Sequence, residues 1–277
     1  MAITAKEVNQ LRQATGAGMM DCKKALQETD GDFDAALDFL RKKGQKISAK
    51  RSEREASEGV AVALPSEDGA TGVVIELNCE TDFVAKNDHF VEFATQIAQT
   101  ALAHLPENVE QLRHLPMEGG TIADRINDQV GKIGEKIELS AYQYLKAEQV
   151  VAYNHANRKI AVLVALNQGG EAAQAAGKDA AMQIAAMNPL GLDKDNVPQE
   201  IVDREMAIAQ EQIRAEGKPE HMLEKIAQGK LNKFFKENTL LNQPFVKDGN
   251  MTVAQMLEAV EKSLKIKDYA RLSVGDS

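Results

Sequence analysis

The chain has 277 residues, 43% of them apolar and 27% charged, with no Trp and a net charge of −9. That balance belongs to a folded globular protein of roughly two domains, with a core of Ala, Val, Leu and Ile rather than aromatics. The longest apolar run, Ile160–Leu166, falls far short of the roughly 20 residues needed to cross a bilayer.

Other classes drop out as quickly. Cys22 and Cys79 are far apart, which excludes a disulfide framework and an all-cysteine zinc site. The N-terminus has no apolar signal segment, so a reducing cytoplasm is the expected location. The first 56 residues carry 11 basic and 9 acidic side chains; the remaining 221 carry 22 and 33. An acidic body disfavours direct nucleic-acid binding, whose affinity comes mostly from phosphate neutralisation. A protein partner is the better expectation.

In chain order, Thr4-Ala5-Lys6-Glu7 is a capping box that opens a first helix, broken at Gly16-Ala17-Gly18. Met19–Glu28 is a second helix. Phe33, Leu37 and Leu40 share one face of a third, which Gly44 is expected to end. Lys46–Arg54 then reads as a solvated, basic linker or helical extension. Gly59–Leu64 and Thr71–Leu77 form a β-hairpin, and helices follow at Asp88–His104 and Thr121–Val130. Lys136–Leu145 alternates as a half-buried strand, with Ile137, Leu139 and Ala141 inward and Tyr142 outward.

The order then recurs. Val150–Tyr153 and Lys159–Leu166 make a second hairpin, and Glu171–Met187 an Ala-rich helix. Thr252-Val253-Ala254 opens a helix as Thr121-Ile122-Ala123 does, and Ile266–Val274 fills the slot of the last strand. The expected fold is α+β: a three-helix head, then a duplicated α+β core with small antiparallel sheets. An inserted antiparallel helical hairpin interrupts the second copy. Its helices are Pro198–Glu216 and Met222–Lys236, turning at Gly217-Lys218-Pro219-Glu220. Such a protrusion is expected to bury little against itself.

Catalytic patterns are near misses. Gly16-Ala17-Gly18 follows a helix and lacks a third Gly; Gly131-Lys132 has Ile126 where a phosphate loop needs Gly. Asp30, Asp32 and Asp34 resemble a calcium loop but lack its Gly and closing Glu. The five histidines show no metal spacing. No cofactor, no metal and no enzymatic activity are expected.

Asn78-Cys79-Glu80-Thr81-Asp82-Phe83-Val84-Ala85-Lys86 stands apart, because a strand runs into a polar stretch holding a single large ring. Two roles fit. Thr81 or Asp82 caps a helix and Phe83 tucks into the core; or Phe83 projects as an aromatic anchor beside a charge.

This stretch and Thr15–Leu26 resemble the two signatures of the bacterial elongation factor Ts family. Tyr153-Asn154-His155 with Arg158 and Ile160–Val164, and Gln243-Pro244-Phe245-Val246, fit the same family's second core half. The resemblance implies guanine-nucleotide exchange on elongation factor Tu in translation elongation. It implies a ubiquitin-associated-like helical domain over residues 1–54 and core half 1 over 55–147. Core half 2 would occupy 148–195 and 237–277, and the hairpin 196–236. Thr81, Asp82, Phe83 and Val84 would form a wedge that disturbs the partner's Mg²⁺ and phosphate site. Arg12, Met19, Met20 and His155 would make further partner contacts, with one of the two methionines inside and one outside. The hairpin would serve homodimerisation or partner contacts.

Two departures from the family bear on this. Some members continue past the last strand into another helix, whereas this sequence stops at Ser277, so a smaller interface is expected. Asn157 stands where Gly is common and is expected to take the left-handed turn. The rival reading is a non-catalytic adaptor that binds a protein through the three-helix head.

Overall fold

The computed structural model describes residues 3–216 and 219–276. Three helices come first: α1 (Ala5–Thr15), α2 (Met19–Glu28) and α3 (Phe33–Arg51). The capping box holds α1, with the Glu7 N–H donating to Thr4 Oγ1 at 3.3 Å and the Thr4 N–H to Glu7 Oε2 at 2.7 Å. Gly16 ends it in the left-handed region at φ 67°, and Asp32 caps α3 through the Ala35 N–H. Val8, Leu11, Cys22, Ala25, Leu26 and Ala36 form the small core between them.

Two expectations for α3 fail here. Phe33 is exposed, and the inward face is Ala36, Leu37, Phe39 and Leu40 instead. Gly44 does not end the helix. It is buried mid-helix, and a Cβ there would lie 2.7 Å from the Asn127 carbonyl oxygen. Glycine is present because another helix backbone crosses at that point.

The hairpin is β1 (Glu58–Pro65) and β2 (Thr71–Cys79), followed by the single turn α4 (Asp82–Ala85), then α5 (Asp88–His104) and α6 (Val109–Arg113). A minimal ribbon, β3 (Pro116–Met117) and β4 (Gly120–Thr121), leads into α7 (Ile122–Ile133) and β5 (Ile137–Lys146). The sheet order is β1-β2-β5, all antiparallel. α7 is the helix whose backbone meets Gly44, at Asn127 and Gly131.

The second copy runs β6 (Gln149–Asn154), β7 (Ile160–Leu166) and α8 (Glu171–Met187). After α9 (Gln199–Ala215) and α10 (Glu220–Asn238) come a second small ribbon, β8 (Pro244–Phe245) and β9 (Asp248–Thr252), then α11 (Val253–Val260) and β10 (Ile266–Ser273). Its order is β6-β7-β10, the topology of the first sheet. Both helices after the small ribbons start with capping boxes, Thr121 with Asp124 and Thr252 with Gln255.

The sheets pack face to face. Val60, Val73, Ile75 and Leu77 point outward under α5 and α7, and Val162, Val164 and Leu166 outward under α8. Between them, Ala61, Ala63 and Val74 meet Val150, Ala161, Leu163 and Ala270. Alternate residues thus serve two cores, and the central strands are buried on both faces.

β5 departs from its predicted phase. A bulge at Ser140 shifts the register between Leu139↔Leu77 and Ala141↔Glu76. Tyr142 therefore turns inward and is buried, while Ala141 moves to the face between the sheets.

The Asn154 side chain joins the halves like a backbone unit. Its Oδ1 accepts the Ala63 N–H at 2.8 Å and its Nδ2 donates to the Ala63 carbonyl at 2.9 Å. Asn154→Ala leaves both groups of an edge strand unpaired and is expected to cost about 1–3 kcal/mol in denaturant unfolding. A cost below about 0.3 kcal/mol would show that water replaces the amide.

α9 and α10 pack on each other through Ala209, Ile213, Leu223 and Ala227, all buried. The pair has a small core of its own, contrary to expectation, because alanines let the helices approach. The predicted turn falls partly on Gly217 and Lys218, outside the described residues. Among the described residues no helix is long and apolar enough to cross a membrane.

Candidate functional site

The stretch after β2 is built from its base upward. The Cys79 thiol is buried and donates to the Thr81 carbonyl at 3.2 Å. Burial, with Glu135 nearby, pushes its pKa up to about 12, so it is a structural group and not a nucleophile. Glu135 grips the next residue: its Oε2 accepts the Thr81 N–H at 3.0 Å and its Oε1 the Thr81 hydroxyl at 2.7 Å. Thr81 thus occupies the N-cap position of α4 without capping it, because its hydroxyl is donated elsewhere.

Asp82 then accepts from the Lys86 ammonium at 2.6 Å, one turn along. That hydrogen bond holds the Asp82 carboxyl below its usual range. Val84 packs against the first core. Phe83 does not: 84% of it is exposed, the most exposed of the large apolar side chains described. Of the two roles its sequence allowed, the core-packed ring is excluded.

Sequence reasoning missed Glu80. Its Oε1 accepts the Lys136 N–H at 2.6 Å and Arg51 Nη1 at 2.7 Å, and its Oε2 accepts Arg54 Nη1 at 3.0 Å. Burial pushes the carboxyl up, but Lys136, Arg51 and Arg54 outweigh it and hold the pKa at about 2. Of the two forms expected for Lys46–Arg54 the helical extension is the one seen, since α3 runs through Arg51 with Lys46, Lys50 and Arg54 exposed; Arg51 and Arg54 in addition pair with Glu80. Neither Glu80 nor Glu135 carries a local signal, since their partners lie dozens of residues away.

Stability should follow this group. A carboxyl lowered from 4.5 to about 2 stabilises the fold fully above pH 4.5 and loses that contribution as pH falls toward 2. Taken in full the shift would be worth roughly 3 kcal/mol, and screening by water at this partly exposed ion pair leaves on the order of 1–2 kcal/mol. The unfolding free-energy gap between wild type and Glu80→Gln should therefore shrink from pH 6 to pH 3. A gap that stays constant would mean the carboxylate's charge is not what matters.

Around Phe83 lies a cleft of about 640 Å³, lined by Val84, Phe90, Phe93, Gln129 and Lys132, and reaching Gly16 of the head. Burial, then the Arg125 guanidinium, lowers the Lys132 pKa. The head carries a second groove, of about 680 Å³, lined by Ile3, Val8, Arg12, Met19, Met20 and Lys23. Arg12 and both methionines are brought together there. Met19 and Met20 are 59% and 73% exposed, so neither packs inside as expected.

His155 sits on the β6–β7 turn, its Nδ1 within 2.8 Å of the Tyr153 hydroxyl. In that turn Arg158, not Asn157, takes the left-handed conformation, at φ 61°. The Asn157 side chain instead accepts the Lys159 N–H. Arg158 also pairs with Asp88 at 3.1 Å, the first residue of α5. The cleft thus runs from Gly16 of the head past Phe83 to α5, whose first residue is paired with the His155 turn.

Among the described residues no cluster of His, Cys, Asp and Glu could hold a metal ion. Exposed soft side chains, a projecting ring and flanking charges make a surface of the class suited to docking onto another macromolecule.

Comparison with known proteins supports that class and narrows it. A family model described as "Elongation factor TS" matches residues 80–276. The elongation factor Ts of Amoebophilus asiaticus is 56% identical over 99% of this chain and 100% of its own length. That of Christiangramia forsetii is 50% identical over 99% of both chains, and that of Cytophaga hutchinsonii 52% identical over 98% and 99%. The chain belongs to the elongation factor Ts family, and so among the factors of bacterial translation elongation.

Proposed function

We propose that the protein exchanges guanine nucleotide on elongation factor Tu in the cytoplasm, using the turn at Asp82 and Phe83 as a wedge. The observation that carries this reading is Phe83, a large ring held out in water on a single turn that Glu135 fixes from below. Residues 1–54 act as a ubiquitin-associated-like docking domain through Arg12, Met19 and Met20. Core half 1, 55–147, brings the wedge. Core half 2, 148–195 and 237–277, holds the partner at His155, and the hairpin at 196–236 adds contacts.

The physics is linkage. GDP on a GTP-binding protein is held by Mg²⁺ and a cradle of backbone N–H groups. A docked protein that favours a distorted cradle weakens GDP by the same factor by which GDP weakens the docking. No bond is made or broken by the factor itself. Phe83 would push between elements of the partner, and Asp82 would compete for a polar group near the metal. Thr81 and Val84 would set the angle of entry.

The test is to preload elongation factor Tu with a fluorescent GDP analogue and add excess unlabelled GDP with and without this protein. Strong acceleration of release is expected. No acceleration by a folded protein would leave an adaptor that binds without exchange.

A further inference from the structure

We infer that Glu80 is a positioning residue that ties the Phe83 turn to the end of α3, so that docking of the helical head and seating of Phe83 form one event. This rests on the exchange reading above. The observation behind it is a reciprocal arrangement of two loops. The exit of β2 and the connection from α7 to β5 lie side by side, and each gives the other a carboxylate. Glu80 accepts the Lys136 N–H, and Glu135 accepts the Thr81 N–H.

α3 joins this pair as a third member. Arg51, its last residue, and Arg54 just beyond it take one Glu80 oxygen each. The helix is a strut: its 19 residues span about 28 Å. Its first turns pack in the head core through Ala36, its middle is locked against α7 at Gly44, and its end holds Glu80. Only Thr81 and Asp82 separate Glu80 from Phe83. A load on the head groove therefore reaches the base of the wedge without crossing a flexible linker.

A simple structural clasp would need only the Lys136 N–H and one counter-charge. Here both oxygens of a side chain only 17% exposed are used, and two of the donors come from the head side. Glutamine at this position keeps the size and one acceptor but turns an NH₂ toward a guanidinium. It separates the tie from the packing.

The experiment uses the full chain and preloaded elongation factor Tu, and reads the plateau release rate and the half-saturating concentration separately. Glu80→Gln is expected to lower the plateau about tenfold, since a slightly misplaced group forfeits much of its effect. Half-saturation should stay within about twofold. The double variant Arg51→Ala, Arg54→Ala should reproduce this, and adding Glu80→Gln to it should bring little further loss. Amide hydrogen exchange over 80–84 should quicken in both variants while exchange in β2 stays slow.

A plateau that is unchanged per folded molecule in Glu80→Gln overturns the proposal, whatever happens to the melting temperature. If the wild-type protein itself fails to accelerate release, the exchange reading falls separately. Hydrogen exchange in the arginine double variant then decides the tie: quickening at 80–84 supports it, and no change overturns it.

Discussion

Phe83→Ala is expected to abolish most of the stimulated nucleotide release while leaving the fold as stable as before. The ring is 84% exposed, so its truncation removes almost no buried surface from the free protein. Stability should change by no more than about 0.5 kcal/mol, the range of ordinary surface substitutions. On docking the same ring can bury roughly 150–250 Å². Truncation of such an anchor costs about 2–4 kcal/mol, and as a rate this is a fall of roughly thirtyfold or more. Stopped-flow release of a fluorescent GDP analogue and thermal unfolding by circular dichroism measure the two sides. A variant that melts early yet releases nucleotide normally per folded molecule would return Phe83 to a structural role.

Gly44→Ala should be destabilising, against the sign that helix propensity gives. In an exposed helix interior Ala is better than Gly by about 1 kcal/mol. Here the new methyl would stand 2.7 Å from the Asn127 carbonyl oxygen and close to the Gly131 backbone. Backbone cannot rotate aside as a side chain can, so α3 and α7 must separate. Overpacking of this kind costs typically about 1–3 kcal/mol, which outweighs the propensity gain. Gly44→Val should cost more and uncouple the head. The measurement is limited proteolysis and denaturant unfolding of both variants. A stabilised Gly44→Ala protein would mean that the crossing is looser than the structure has it.

The fold was legible wherever it depends on local rules. The capping box at Thr4, the helix starts at Thr121 and Thr252, the helices Met19–Glu28, Asp88–His104 and Glu171–Met187, and both hairpins follow from spacing and turn chemistry. What failed depended on distant chain. Gly44 looks like a stop signal until another helix crosses it, and Tyr142 points outward until Ser140 adds a residue to its strand. The same division runs through the site. The Asp82-Phe83 pair stood out because a single large ring in a polar stretch after a strand is locally odd, and only the structure shows that the ring is exposed. Glu80 and Glu135 look like ordinary surface acids until their loops meet. Met19 and Met20 could be sorted only by packing, and both proved to lie outside.

The alanine layer between the two sheets has a mechanical consequence. Ala61, Ala63, Ala161 and Ala270 bring the sheets close, and the Asn154 amide stitches their edges. Small side chains leave little room for rotamer changes, so neither sheet can slide on the other without losing contacts throughout the layer. The span from Phe83 to the His155 turn is thereby set like the jaws of a caliper. When two bodies are pressed together, the softer one yields. On the exchange reading proposed above, a nucleotide-binding protein gripped at both points would absorb the misfit in its own loops, because the alanine layer gives little between the points of grip.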